Sequence, residues 1–120
     1  MAIAVTTPGV GKSGWIINAT SADASGCEEL KAAPAAGISL YVDQLTINNG
    51  ASAISITIGA GETGGAVTTA LIGPIAMAAN TSLAFDYTFV GGIKVTAATS
   101  LTVDASGAGA ICIHAVGRTK

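Results

Sequence analysis

The chain has 120 residues, five Lys and Arg against seven Asp and Glu, a net charge of −2 and half of its residues hydrophobic. One domain of this size buries roughly two-thirds of the surface its unfolded chain exposes. The few scattered cations exclude a nucleic-acid binder, which needs clustered Lys and Arg, and the hydrophobic content excludes a disordered chain.

At 10 % charged residues the chain falls well short of the roughly one quarter usual for soluble domains. Such a surface is weakly protected against self-association, so much of it is expected to lie in contacts with other subunits. Met1–Val5 has no basic n-region and is too short for an apolar h-region, so no secretory leader is expected. The longest uncharged stretch, between Glu62 and Asp86, is broken by Gly64, Gly65, Gly73, Pro74 and Asn80. It therefore reads as strands and turns, not as a membrane helix of about 20 apolar residues.

Residues 1–14 read as an extended, flexible N-terminal arm, and residues 15–120 as the folded domain. Within the arm, Thr6-Thr7-Pro8-Gly9-Val10-Gly11-Lys12-Ser13-Gly14 has the look of a phosphate-binding loop. That motif requires a glycine five residues before its Gly-Lys pair. Here that position is Thr6, and no helix signal follows. Glycines and a proline that punctuate a polar arm are the simpler reading.

Trp15–Ala19 reads as a strand. Its Trp15 is either a core side chain, the usual place for tryptophan, or an anchor at an interface or against a sugar. Ala24–Ala33 fits a strand or a short helix, and Pro34 ends either. Ile38, Leu40 and Val42 alternate with polar residues; the pattern then slips at Gln44 and resumes at Leu45 and Ile47. A β-bulge near Asp43-Gln44 accounts for the slip. Asn48-Asn49-Gly50 is a hairpin-turn signal, so Ile54, Ile56 and Ile58 are expected on the returning strand.

Gly59–Gly65 reads as a mobile loop, and Val67–Met77 as an edge or bent strand because of Gly73-Pro74. Leu83, Phe85, Tyr87 and Phe89 alternate with Ala84, Asp86 and Thr88, which predicts a strand carrying most of the aromatic core. After Gly91-Gly92, Ile93–Val95 and Leu101–Val103 read as a second hairpin. Ile111, Ile113 and Ala115 make a last alternating strand. About eight regularly spaced strands and almost no helix predict an all-β protein, a β-sandwich of jelly-roll type with an extended N-terminal arm.

Chemistry-bearing residues are few. His114 is the single histidine; it projects opposite Ile111 and Ile113 and has no orienting acid in sequence, so it reads as a surface or subunit-interface residue. Asp43, Asp86 and Asp104 occupy polar positions of alternating strands, and no calcium-loop spacing occurs. Cys27 and Cys112 match no metal or redox motif. Two reduced, buried thiols are expected for a chain made in the cytoplasm, and a disulfide between them stays open. Tyr41, opposite Leu40 and Val42, is a second candidate subunit contact. No catalytic residues, cofactor or metal are expected.

The run Glu29-Leu30-Lys31-Ala32-Ala33-Pro34, continuing through Tyr41-Val42-Asp43-Gln44-Leu45-Thr46-Ile47-Asn48-Asn49-Gly50, resembles small all-β virion proteins of tailed phages, and so does the later Pro74-Ile75-Ala76-Met77-Ala78-Ala79-Asn80-Thr81 with Phe85-Asp86-Tyr87. The resemblance covers roughly Glu29 to Val116. It implies a capsid decoration (cement) protein, a homotrimer bound to the major capsid protein on the outside of the head, made in the host cytoplasm, without nucleic-acid or membrane partners. In that reading the arm binds the capsid through Thr6, Thr7, Pro8, Gly9, Lys12 and Trp15. The rival expectation is a tail or fibre domain that binds a host receptor or glycan through the Gly59–Gly65 and Gly91-Gly92 loops.

Overall fold

The computed structural model describes residues 3–6, 14–21, 25–107 and 110–120. Among them are ten strands: β1 (Ile3–Thr6), β2 (Gly14–Ser21), β3 (Ser25–Lys31), β4 (Leu40–Asn49), β5 (Ile54–Thr63), β6 (Ala66–Met77), β7 (Ser82–Asp86), β8 (Ile93–Lys94), β9 (Leu101–Ser106) and β10 (Ile111–Thr119). A short 3₁₀ turn, Thr88–Val90, follows β7. The strands form two antiparallel sheets. The first has the order β1-β2-β10-β4-β7, with β8 on the lower part of β4; the second has the order β3-β9-β5-β6.

This order is a jelly roll. Four antiparallel pairs nest inside one another: β2 with β10, β3 with β9, β4 with β7, and β5 with β6. The chain thus behaves as one long hairpin, β2–β5 out and β6–β10 back, wrapped round a single core. Rolling it up adds the β10–β4 and β5–β9 pairs. The core lies between the sheets, where period-two alternation points one side chain in two. Ile17, Ile47 and Ile113 meet Ile56, Ile58 and Val103 there, all at most 1 % exposed.

The bulge expected near Asp43-Gln44 is present. Val116 pairs with Gln44 and Gly117 with Val42, which leaves Asp43 as the extra residue. β6 is an edge strand with shifted register and a cis Gly73–Pro74 peptide, and the strand-or-helix ambiguity before Pro34 resolves as strand, with Ser25–Lys31 forming β3.

Several expectations change. Asn48-Asn49-Gly50 does not close a hairpin, because β4 and β5 lie in different sheets. Gly50 serves a close approach: its N–H donates to Ala110 O at 2.8 Å, and a Cβ would sit 2.8 Å from that same oxygen. Ile93–Val95 and Leu101–Val103 likewise belong to opposite sheets. The Gly59–Gly65 segment is no loose loop; β5 runs on through it to Thr63, and only Gly64 and Gly65, both at positive φ, make the turn into β6 at Ala66. The β7 aromatics are not core either. Leu83, Phe85 and Tyr87 are half-buried, because an edge strand is covered from one side, and Phe89 is fully outside.

The segment read as an arm also contributes structure. Ile3–Thr6 pairs with β2 as the outermost strand of the first sheet. Thr7, Pro8, Gly9 and Lys12 lie outside the described residues.

Candidate interaction surface

The outward residues of the first sheet form transverse rows. One row runs Thr6, Asn18, His114, Thr46, Ala84 across five strands, and the next runs Ala4, Thr20, Cys112, Asn48, Ser82. Neither row contains a charge. Below them Ile16 and Val116 lie beside Gln44 and Asp86, and the charges gather at the end of the sheet where Arg118, Tyr41 and Lys94 are paired. The outer face of the second sheet differs: Glu29 pairs with Thr102, and Asp104 lies between Cys27 and Thr57.

His114 and Tyr41 both face outward on the first sheet, four rungs apart along β10. His114 is exposed, and its Nδ1 lies 2.6 Å from Asn18 Oδ1. An amide oxygen only accepts, so Nδ1 carries the proton. Thr6 Oγ1 donates a long 3.5 Å bond to Asn18 O in the same row. Tyr41 has the Arg118 guanidinium 5.7 Å and the Lys120 ammonium 5.0 Å from its ring centroid, both within cation–π range.

Trp15 is placed differently from the arm residues it was grouped with. It is 4 % exposed and packs over Gly117, where any side chain would collide with its ring. Its Nε1 has no hydrogen-bond partner. The ring is thus a core element at the start of β2.

The thiols are free and half-buried, neither fully buried nor bonded to each other. Burial raises the Cys27 pKa above its usual value; Asp104, Glu62 and Glu28 add to the rise, and a hydrogen bond with Thr102 opposes it. Its thiolate, the reactive form, is therefore disfavoured. Among the described residues no three of His, Cys, Asp and Glu converge as a metal site, and no helix is long and apolar enough to cross a membrane.

Sequence reasoning missed one surface feature. The bulge aims the Asp43 carboxylate at Arg118, whose Nε and Nη2 donate to it at 2.9 and 3.0 Å. The second nitrogen also donates to Gly91 O at 2.5 Å. This ion pair raises the Arg118 pKa, chiefly through the hydrogen bond to Asp43. It ties the 3₁₀ turn to the sheet and holds Phe89 and Val90 in solvent, 84 % and 63 % exposed. A signal was available: Asp86 two residues before Thr88 is the spacing of a side-chain-capped turn that ends a strand.

No protein-family model, no curated protein and no solved structure matches this chain.

Proposed function

We propose that this protein is a structural component of a virus particle, a capsid decoration protein that docks on the outside of a tailed-phage head and stabilises it. The observation that carries the reading is the pair of charge-free rows on the outer face of the first sheet. A face of Thr, Asn, Ala and Ser, with His114 and Cys112 on its central strand and no Asp, Glu, Lys or Arg in either row, desolvates at low cost against another protein, whereas buried unpaired charges would each cost several kcal/mol. The jelly roll is an architecture that capsid proteins share with lectins and other binding proteins, so the fold is compatible with the reading without specifying it. The resemblance of the Glu29–Val116 region to small virion proteins supplies the rest. In this reading the face and the segment joining β1 to β2 contact the major capsid protein together, and three copies share one capsid position.

The test is co-sedimentation of the purified chain with undecorated heads of the phage that encodes it. Wild-type protein should bind saturably and raise the temperature at which heads release DNA. Thr20→Glu with Thr46→Glu places two charges in the rows and should weaken binding by at least about tenfold, the effect of a lost interface hot spot. Deleting residues 1–13, which removes only the outermost strand β1 from the described fold, should abolish attachment and leave the cooperative unfolding transition in place. Absence of head binding, with binding to host cells or glycans in its place, would assign the chain to a tail or fibre.

A further inference from the structure

Asn49-Gly50 is a corner between the two sheets, and the corner dictates both residues. The Asn49 side-chain NH₂ donates to Ser52 O at 2.8 Å and to Ala78 O at 3.0 Å, with Met77 O at 3.4 Å. Its Oδ1 is buried and has no hydrogen-bond partner. The surroundings are therefore acceptors, and they suit a neutral donor. At the next residue a Cβ would lie 2.8 Å from Ala110 O, so the position suits glycine. The fold thus forces a buried carboxamide and an unshielded backbone nitrogen to be neighbours in the chain.

That pair has a chemistry of its own. Asparagine is a thermolabile residue, and it reacts most readily when the next residue is glycine, whose free backbone lets its nitrogen reach the side chain. The Gly50 amide gives its proton to a solvent base, and its nitrogen bonds to Asn49 Cγ. The Cγ–Nδ2 bond breaks, the departing nitrogen takes a proton from water, and ammonia leaves behind a five-membered succinimide. Water then opens the ring at either carbonyl, giving aspartate or isoaspartate, with no change of oxidation state. The other asparagines, Asn18, Asn48 and Asn80, precede Ala19, Asn49 and Thr81, so this is the one Asn-Gly pair in the chain.

The folded corner blocks the reaction. Gly50 N–H donates to Ala110 O and Asn49 N–H to Thr81 O, both at 2.8 Å, and Asn49 is 7 % exposed. Attack requires the carboxamide to leave Ser52 and Ala78. Neither product fits the corner again. Aspartate places an oxygen, which only accepts when ionised, against the carbonyls that the NH₂ satisfied, and leaves a buried charge unpaired. Isoaspartate adds Cβ to the main chain and moves Gly50 away from Ala110 O. We propose that Asn49 is a site of spontaneous deamidation that the fold holds unreactive, so that a chain which opens is modified there and cannot rebuild the corner. Unfolding is then made irreversible by a covalent step.

Peptide mapping by mass spectrometry, with fragmentation to single residues, reads the reaction without any capsid, so its outcome is separate from that of the docking proposal. Purified chain is held in mildly alkaline buffer with and without enough guanidinium chloride to unfold it. In denaturant Asn49 should deamidate ahead of Asn18, Asn48 and Asn80, and Gly50→Ala should slow it. In buffer alone the reaction at Asn49 should be at least about a hundredfold slower, because only about 10⁻³ to 10⁻⁶ of a folded protein is open at any time. After the denaturant is diluted out, the folded peak on a sizing column should be depleted in chains modified at position 49. Asn49→Asp, made directly, should unfold at lower denaturant than wild type or fail to fold. A smaller ratio between the two conditions, faster reaction at another asparagine in the unfolded chain, or modified chains that refold as fully as unmodified ones would overturn the proposal.

Discussion

The Asn49 carboxamide, 7 % exposed, donates to Ser52 O at 2.8 Å and to Ala78 O at 3.0 Å, so one buried amide joins the corner after β4 to the corner after β6. Gly50 continues the junction: its N–H reaches Ala110 O, and its own carbonyl accepts from Asn80 N–H at 2.7 Å. Three corners of the jelly roll thus meet on two consecutive residues. Gly50 is not at a positive φ, so glycine is needed there for space and not for backbone conformation. Gly50→Ala pushes a methyl against Ala110 O and should destabilise the domain by about 1–3 kcal/mol, the usual cost of overpacking. Urea denaturation would read this as a lower midpoint at unchanged slope. An unchanged midpoint would mean that the corner shifts freely, which is at odds with the hydrogen bonds it holds.

The element most exposed to solution conditions is the Thr88–Val90 turn. The Asp86 carboxyl sits below its usual 3.8, first because of the Thr88 hydroxyl and then the Thr88 amide. A carboxylate with a depressed folded pKa stabilises the turn at pH values above its unfolded pKa, and that contribution disappears as pH falls through the folded value. The amide resonance of Thr88 should therefore titrate with a midpoint below 3.8, and Asp86→Asn should remove the titration. A midpoint at or above the ordinary value would show that the two hydrogen bonds do not form in solution. Elements like this one mark the limit of what alternation reveals. Period two identified the inward faces of β4 and β10 and even the Asp43 bulge, because a bulge interrupts the pattern visibly. It gave Leu83 and Phe85 the correct side and the wrong depth, since depth depends on how far the opposite sheet extends. It also carried the β7 strand on to Phe89, past the Asp86–Thr88 turn that ends it.

At the scale of the whole molecule, the sandwich architecture was legible but the order of strands was not. Order is set by pairings such as β2 with β10, whose partners lie at opposite ends of the chain. Such non-local pairing makes folding slow, on the scale of about milliseconds to seconds, and makes the last strand indispensable. β10 lies between β2 and β4 in the first sheet and contributes Ile111, Ile113 and Ala115 to the core. Burying the two isoleucines alone is worth about 1.5–3 kcal/mol each, against a net stability of about 5–15 kcal/mol for a domain. Losing β10 also strips hydrogen-bond partners from both neighbours. A chain ending at residue 107 should thus show no cooperative unfolding by Trp15 fluorescence. β1 is the contrasting case, an outermost strand with mostly exposed side chains, and a chain starting at residue 14 should keep its transition. A peptide of residues 108–120, added in trans, should restore the truncated chain by completing the sheet, since strand addition is driven by ladder hydrogen bonds and alternate side chains entering the core. If the truncated chain instead unfolds cooperatively near the wild-type midpoint, β2 and β4 must be able to pair without β10, and the sheet order would have to be redrawn.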